Sequence, residues 1–316
     1  MSEGNKTMIT TVTLNPAVDK TYTAKTILPG QVNRTTSMMM MPGGKGINVA
    51  RVLNQYGFQV RTMGFLGGYA GYFIRDSVQK QGVQCEFTMI QGETRSNMNI
   101  MMEDHPVTEI LEPGPTVTPD NMERFLSQYQ TALQDSSLVV LSGSIPAGVP
   151  SDIYATLIRL AKKQNIRVLL DTSGESLLYG LQEKPFLCKP NQNEMAYIAG
   201  KELNTIEDIL PEARKLQQTG IPLVLVSMGE KGLLAVEEDR YHIAKVEGIH
   251  AVNTVACGDS VIASFAMSLE LSENMEQAMR RAVAISAANA TTMESGQIPK
   301  EVAEKLMTRV EYECGI

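Results

Sequence analysis

The run Asn253-Thr254-Val255-Ala256-Cys257-Gly258-Asp259 stands immediately before an amphipathic pattern formed by Val261, Ile262, Phe265, Ala266 and Leu269. Small residues opening a helix leave backbone N–H groups free at the positive end of the helix dipole, which makes an anion site. Asp259 has two readings there. It caps the helix, as aspartates commonly do, or it accepts a hydroxyl proton while the amides stabilise a phosphoryl group in transfer. A second cluster is Pro42-Gly43-Gly44-Lys45-Gly46-Ile47-Asn48. Its glycines allow close backbone approach to a ligand and Lys45 supplies a point charge; a tight strand-to-helix turn explains the same spacing. In Lys189-Pro190-Asn191-Gln192-Asn193-Glu194, Asn191 and Glu194 stand where they could orient metal-bound waters. They equally satisfy a capping box. The fourth cluster is Ser227-Met228-Gly229-Glu230-Lys231-Gly232, either a nucleotide-phosphate turn or a plain hairpin. Neither a G-x-x-x-x-G-K-[ST] loop nor a G-x-G-x-x-G fingerprint occurs, so Walker-type and dinucleotide-binding readings lack support.

Short apolar runs precede these clusters and other polar ones: Met8–Leu14, Thr62–Leu66, Leu138–Leu141, Arg167–Leu170 and Leu223–Val226. Continuous apolar strands alternating with helices predict an α/β fold, a parallel sheet covered on both faces. Ligands then bind beyond the carboxyl ends of the strands. Helical spacing appears at Val49, Val52, Leu53 and Tyr56, stopped by Gly57, and again after Asp259. A third helix is expected from near Met275, with a small-residue stretch at 282–290 able to pack closely against a sheet.

Two segments break this rhythm, 19–41 and 87–111, and read as short strands of one accessory sheet. In the second, Arg95, Asn97 and Asn99 alternate with Ser96, Met98 and Ile100, so the polar trio shares one face. That face either covers a pocket or is solvated. Met98, Ile100 and Met102 suit an interface or the chain's own core.

The 316 residues fit about two domains' worth of chain at ~150 residues each, or one large domain with an accessory piece. A net charge of −7 argues against a nucleic-acid partner, while leaving room for a local positive pocket. At 43% hydrophobic and 20% charged, the chain can bury a sizeable core. No membrane span and no signal peptide are visible. Cys85, Cys188, Cys257 and Cys314 lack metal-ligand spacing, and His105, His242 and His250 are scattered. A cytoplasmic protein without disulfides is the simplest expectation.

Taken together and in order, the four clusters resemble the ribokinase-like carbohydrate kinases of the PfkB family, from Met8 to the end of the chain. Gly43-Gly44-Lys45-Gly46 through Asn48-Val49-Ala50 resembles the family's first signature and Asn253–Asp259 with Ser260 its second. Asn191 and Glu194 match its N-x-x-E element, and Ser227, Gly229 and Gly232 its nucleotide element. Thr13-Leu14-Asn15-Pro16-Ala17-Val18-Asp19 resembles the branch acting on ketohexose phosphates, the 1-phosphofructokinases and tagatose-6-phosphate kinases. Phe65-Leu66-Gly67-Gly68 with Gly71, the stretch 108–115 and Leu170-Asp171-Thr172-Ser173-Gly174 look closer to the latter.

The resemblance implies a single kinase domain over 8–316 after a short tail (1–7). It has a mostly parallel central sheet with helices on both faces and a small β lid over roughly 17–41 and 87–112. It implies ATP and Mg²⁺, and a small sugar phosphate as acceptor, with tagatose 6-phosphate first and fructose 1-phosphate as the alternative. Asp259 would be the base, with the amides of Ala256, Cys257, Gly258 and Asp259 as anion hole. Asp19, Gly44 and Asn48 would hold the sugar; Lys45 and Arg95, and more weakly Ser144, its phosphate. Lys189, Ser227, Gly229 and Gly232 would serve ATP, and Asn191 and Glu194 would organise Mg²⁺ through water. The lid commonly mediates dimerisation in this family, which makes a homodimer through it one possible assembly. A non-catalytic sugar-phosphate sensor is the reading from another class.

The family usually shows Gly-Ala-Gly-Asp where this chain has Ala256-Cys257-Gly258-Asp259. A positive φ at Ala256 would strain the backbone by ~1–3 kcal/mol, whereas a helical or bridge conformation would not. A helix N-terminus could lower the Cys257 thiol pKa and sensitise it to oxidation; otherwise Cys257 is a small residue in place of alanine.

Overall fold

The computed structural model describes residues 7–102 and 107–316; residues 1–6 of the expected tail, and His105, lie outside them. Ten strands, numbered in chain order, make one large sheet. At its centre β1 (Met8–Thr13) lies between β4 (Val60–Leu66) and β8 (Ser136–Ser142), with β5 (Gln84–Met89) beyond β4 at the edge. On the other side follow β9 (Arg167–Asp171), β10 (Leu187–Cys188), β11 (Leu223–Ser227), β12 (Leu233–Glu237), β13 (Arg240–Lys245) and β14 (Glu311–Gly315). All pairings from β5 across to β11 are parallel, and the last three are antiparallel. The five apolar runs read from the sequence are five of these strands.

Alternation sorts each strand's side chains into two cores. Along β8, Leu138 and Val140 enter one and Val139 and Leu141 the other. The first core is closed by α1 (Lys45–Gln55), α2 (Gly68–Lys80), α8 (Cys257–Glu270), α9 (Met275–Ala290) and α10 (Lys300–Met307). The second is closed by α3 (Pro119–Ala132), α4 (Ile153–Lys162), α5 (Gly174–Gln182), α6 (Gln192–Ala199) and α7 (Ile206–Gln218). Burial on both faces explains why the strands read as continuous apolar runs. The small residues of α9 pack mainly against α8 and less against the sheet, so the expected close partner is a helix.

The second sheet has four strands in the order β3 (Ser37–Gly43), β2 (Ala17–Ala24), β6 (Arg95–Met102) and β7 (Thr108–Leu111). Its first segment runs two residues past the expected end at 41. Its second segment begins at Arg95, which corrects the expected start at 87. Phe87, Thr88 and Met89 end β5 and pair with β4 in the large sheet. A period of two is the same in either sheet, and the chain changes sheets only at the turn Gln91-Gly92-Glu93, where Gly92 takes φ 92°. β2 and β6 are parallel with Asp19 opposite Asn97 and Thr21 opposite Asn99. These residues and Arg95 therefore share one face. Val18, Lys20, Met40 and Ser96 lie on the other, where they line a hollow with Tyr69, Ala70 and Phe73 of α2.

Candidate active site

Side chains converge where the parallel strands end. The chain leaving β1 carries Asn15 and then Asp19; β9 ends on Asp171; β10 runs into Lys189 and Asn191; β11 ends on Ser227. The N-terminal turns of α1 and α8 meet there, because Asn48 Nδ2 donates to Asp259 Oδ2 at 2.8 Å. Burial pushes the Asp259 carboxyl up to about 6, opposed by Lys45, Asn48 and Lys189 and reinforced by Asp171. A carboxylate near 6 takes a proton more readily and is still ionised at neutral pH.

Asp171 is fully buried and accepts both Lys45 Nζ at 3.1 Å and Lys189 Nζ at 3.3 Å on one oxygen. Burial alone would raise its pKa, but Lys189 and Lys45 hold it below the usual carboxylate range. Burial likewise opposes the charge on Lys45, yet Asp171, Asp259 and Glu194 hold its ammonium above the usual lysine range. Asp171 stood out in the sequence only as part of the segment Leu170-Asp171-Thr172-Ser173-Gly174. Its role as a bridge between two lysines did not, since Lys45 lies 126 residues away.

Ala256 adopts φ 66°, ψ 7°, the left-handed conformation, at the start of α8. Of the two backbone outcomes considered for this residue, the strained one is realised. The conformation serves the amides. Those of Ala256, Gly258 and Asp259 meet no acceptor among the described residues, while that of Cys257 is turned to Thr254 O at 3.3 Å. The start of α8 therefore presents three free donors. Cys257 itself does not carry a lowered pKa. Burial raises it, against hydrogen bonds with Asn289 and Ser286, so the residue stands as a small, half-buried side chain.

At the other end of the cleft, Asp19 is buried, accepts from Asn97 Nδ2 at 2.8 Å, and is raised to about 6 by burial. Its carboxylate lies so close to Gly43 that an added Cβ would sit 2.0 Å from Oδ2. Gly44 takes φ 110°, and a Cβ added there would press on Thr13 and Pro16. Arg95 donates to Asn15 O at 3.1 and 3.0 Å and to Glu112 O at 3.0 Å. Ser144 is within 3.4 Å of Asn15 Nδ2. Asn15, Asn48 and Asn97 each keep a buried Oδ1 without a hydrogen-bond partner. Buried acceptors of this kind are costly unless something donates to them, and the hydroxyls of a polyol would.

On the remaining side Lys189 is buried, and its Nζ would lie 3.3 Å from a Cβ added at Gly258. Asn191 bridges to Ser227, which joins the third and fourth clusters. Gly229 opens a 3-10 turn at Gly229–Lys231 and Gly232 closes it at φ 97°, so this segment is the hairpin between β11 and β12, adjoining the cleft. Asn191 and Glu194 do form a capping box at the start of α6. That uses one Glu194 oxygen and leaves Oε1 without a protein partner among the described residues. No group of three or more His, Cys, Asp or Glu able to hold a metal occurs among the described residues. One open carboxylate oxygen beside the cleft fits Mg²⁺, which keeps most of its waters, and Glu194 with Asn191 would hold it.

Comparison with known proteins finds relatives along nearly the whole chain. The profile of pfkB family carbohydrate kinases covers residues 9–301. The chain is 37% identical over 303 residues to 1-phosphofructokinase of Bacillus subtilis (strain 168), spanning 96% of this chain and 98% of that one. It is 34% identical over 307 residues to tagatose-6-phosphate kinase of Staphylococcus epidermidis, spanning 96% and 99%. The structure of phosphofructokinase-2 from Escherichia coli in complex with potassium superposes with a TM-score of 0.89 at 27% identity, covering 96% and 98%. With its parallel sheet, its small second sheet and a buried aspartate at an amide-lined helix start, the chain belongs to the pfkB family of carbohydrate kinases.

Proposed function

We propose that the chain transfers the γ-phosphoryl group of ATP to a hydroxyl of a ketohexose monophosphate, giving the bisphosphate. The carrying observation is the pairing of Asp259 with three free amides at one end of a cleft whose other end holds Asp19 and Arg95. The unpartnered oxygens of Asn48 and Asn97 receive sugar hydroxyls, Asp19 fixes the sugar's orientation, and Arg95 meets its phosphate. Asp259 accepts the proton of the attacking hydroxyl, and the amides of Ala256, Gly258 and Asp259 receive charge developing on the moving group. Lys189 and the Ser227–Gly232 turn hold the nucleotide. Glu194, with Asn191, would hold Mg²⁺ through water, and the ion would supply neutralisation of phosphate charge.

Tagatose 6-phosphate is the acceptor suggested by the segments at 65–71, 108–115 and 170–174. Fructose 1-phosphate is the second reading, favoured by the relative at 37% identity. An ADP-release assay across fructose 1-phosphate, fructose 6-phosphate, tagatose 6-phosphate and the parent sugars ranks them by kcat/KM. A phosphorylated ketohexose should exceed its parent by about 10²-fold or more, because Arg95 is otherwise left without its anion; equal use of the parent sugar would remove the reading. The outward face of the lid, with Met38, Met40 and Ile110 exposed, is the surface through which two copies would pair.

A further inference from the structure

Arg51 heads the fully buried side chains of the fold in size, at 2% exposure, and none of the chemistry above uses it. It lies on α1 one turn beyond Asn48, on the same helix face. Among the described residues it forms no ion pair. Burial lowers its pKa, and the carboxylates of Glu294 and Asp19 oppose that from beyond ion-pair distance. It makes two hydrogen bonds: Nε donates to Gln81 Oε1 at 3.0 Å, and Nη1 donates to Ser295 O at 2.8 Å. Taking a guanidinium out of water for two neutral acceptors is expensive. A packing role alone would be met by an uncharged side chain of similar length.

Ser295 faces two ways. Its carbonyl takes the Arg51 guanidinium, and its Oγ accepts Asn253 Nδ2 at 3.2 Å. Asn253 Oδ1 in turn accepts Val255 N at 2.9 Å. The next residue, Gly296, donates its N–H to Asn289 Oδ1 at 2.8 Å, and Asn289 Nδ2 donates to Val255 O at 2.8 Å. Both backbone polar groups of Val255 are thus held from the turn at 295–296, and Val255 directly precedes the left-handed Ala256 that opens α8. Gly296 also backs Asn48. A Cβ added at Gly296 would lie 3.4 Å from Arg51 Nη1 and 3.5 Å from Asn48 Oδ1. Gln55, one turn further along α1, donates to Gly296 O and accepts from Ile298 N at 2.9 Å, so α1 grips this segment twice. The charge-assisted bond from Arg51 is the stronger grip. We propose that Arg51 is a positioning residue. By anchoring Ser295 and Gly296 it fixes Val255, and through it the free amides at the start of α8, while it seats Asn48 against Asp259.

The kinetic consequence rests on the phosphoryl-transfer reading, but the placement of the α8 start does not. The experiment compares the wild type with Arg51→Met, Arg51→Lys and Arg61→Met, and Arg51→Gln takes the place of Arg51→Met if that variant does not fold. Arg61 is a second buried arginine, held by Ala132 O, Asp135 and Glu86 near the start of β4, the end of the strand away from the cleft. It controls for destabilisation alone. The first arm follows amide hydrogen exchange without nucleotide or sugar. Arg51→Met should speed exchange by about tenfold in both 293–298 and 254–260, while Arg61→Met leaves both segments within about twofold of the wild type. The second arm measures transfer to the best ketohexose phosphate with ATP and Mg²⁺. Arg51→Met should lose about 10–10²-fold in kcat with both KM values within about threefold, because the reacting groups are misplaced and the substrates are still held. Arg51→Lys, which keeps a charged donor, should recover part of that kcat. Wild-type exchange at 254–260 in Arg51→Met, equal acceleration there in Arg61→Met, or a loss confined to KM would overturn the proposal. If the wild type phosphorylates no ketohexose phosphate, the functional reading fails, and the exchange arm still decides whether Arg51 holds the start of α8.

Discussion

Asp259 combines two consequences of burial that pull in opposite directions. Its carboxyl is raised from 3.8 to about 6, so the folded state prefers the protonated form more than the unfolded chain does. Above pH 6 the ionised group therefore costs stability, and the cost fades as pH falls through 6 toward 4. Asp259→Asn removes that cost. At pH 8 it should gain about 1–3 kcal/mol in urea unfolding, with the gain gone below about pH 4; a loss of stability at pH 8 would contradict the burial argument. Activity moves the other way. In the proposed mechanism the ionised form is the base, so kcat/KM should fall tenfold per pH unit below about 6. Asp19 titrates in the same range, and the acid limb should therefore persist in Asp19→Asn if Asp259 is its source. Ala256 is a second residue where chemistry outranks comfort. Its left-handed backbone costs an alanine about 1–2 kcal/mol, and glycine's greater unfolded-state freedom returns part of that. Ala256→Gly should stabilise the fold by up to about 1 kcal/mol with activity retained, read from the same urea curves.

Among the elements, the turns joining strand to site decide what the cleft can hold. Strand β3 ends on Gly43, paired with Ala17 of β2, and a side chain there would collide with Asp19. Gly43→Ala should raise KM for the acceptor by about tenfold or more and leave nucleotide affinity within twofold; equal changes in both would mean the lid as a whole had shifted. The strands β1, β8, β9 and β11 were legible in the sequence because each is a short apolar run closed by a polar cluster, and α1 and α8 because their spacing is helical. The pairing Asn48–Asp259, 211 residues apart, and the bridge from Asp171 to two lysines were not. Local pattern carries period and turn chemistry, while such contacts arise only when distant strand ends are brought level by the sheet. The same limit placed residues 87–89 in the lid. An alternating strand does not announce which sheet it will join, and only its pairing with β4 settles that.

Taken whole, the molecule is a three-layer platform, with a thin second sheet beside the cleft proposed for the acceptor. That sheet is buried poorly on its outward side, where Met38 is 51% and Met40 39% exposed beside Tyr69. Apolar exposure of this sort marks an interaction surface. Replacing Met38 and Met40 by glutamate should convert a dimer to a monomer in light scattering, and a dimer that survives would place the contact elsewhere. The transfer chemistry itself stands on Asp259 at the amide-lined start of α8. It is tested most directly by single-turnover transfer from ATP to the best ketohexose phosphate in wild type and Asp259→Asn, with nucleotide affinity measured on the same samples. The expected result is a rate about 10²–10⁴-fold lower at unchanged nucleotide affinity. A rate near that of the wild type would contradict the assignment of the base.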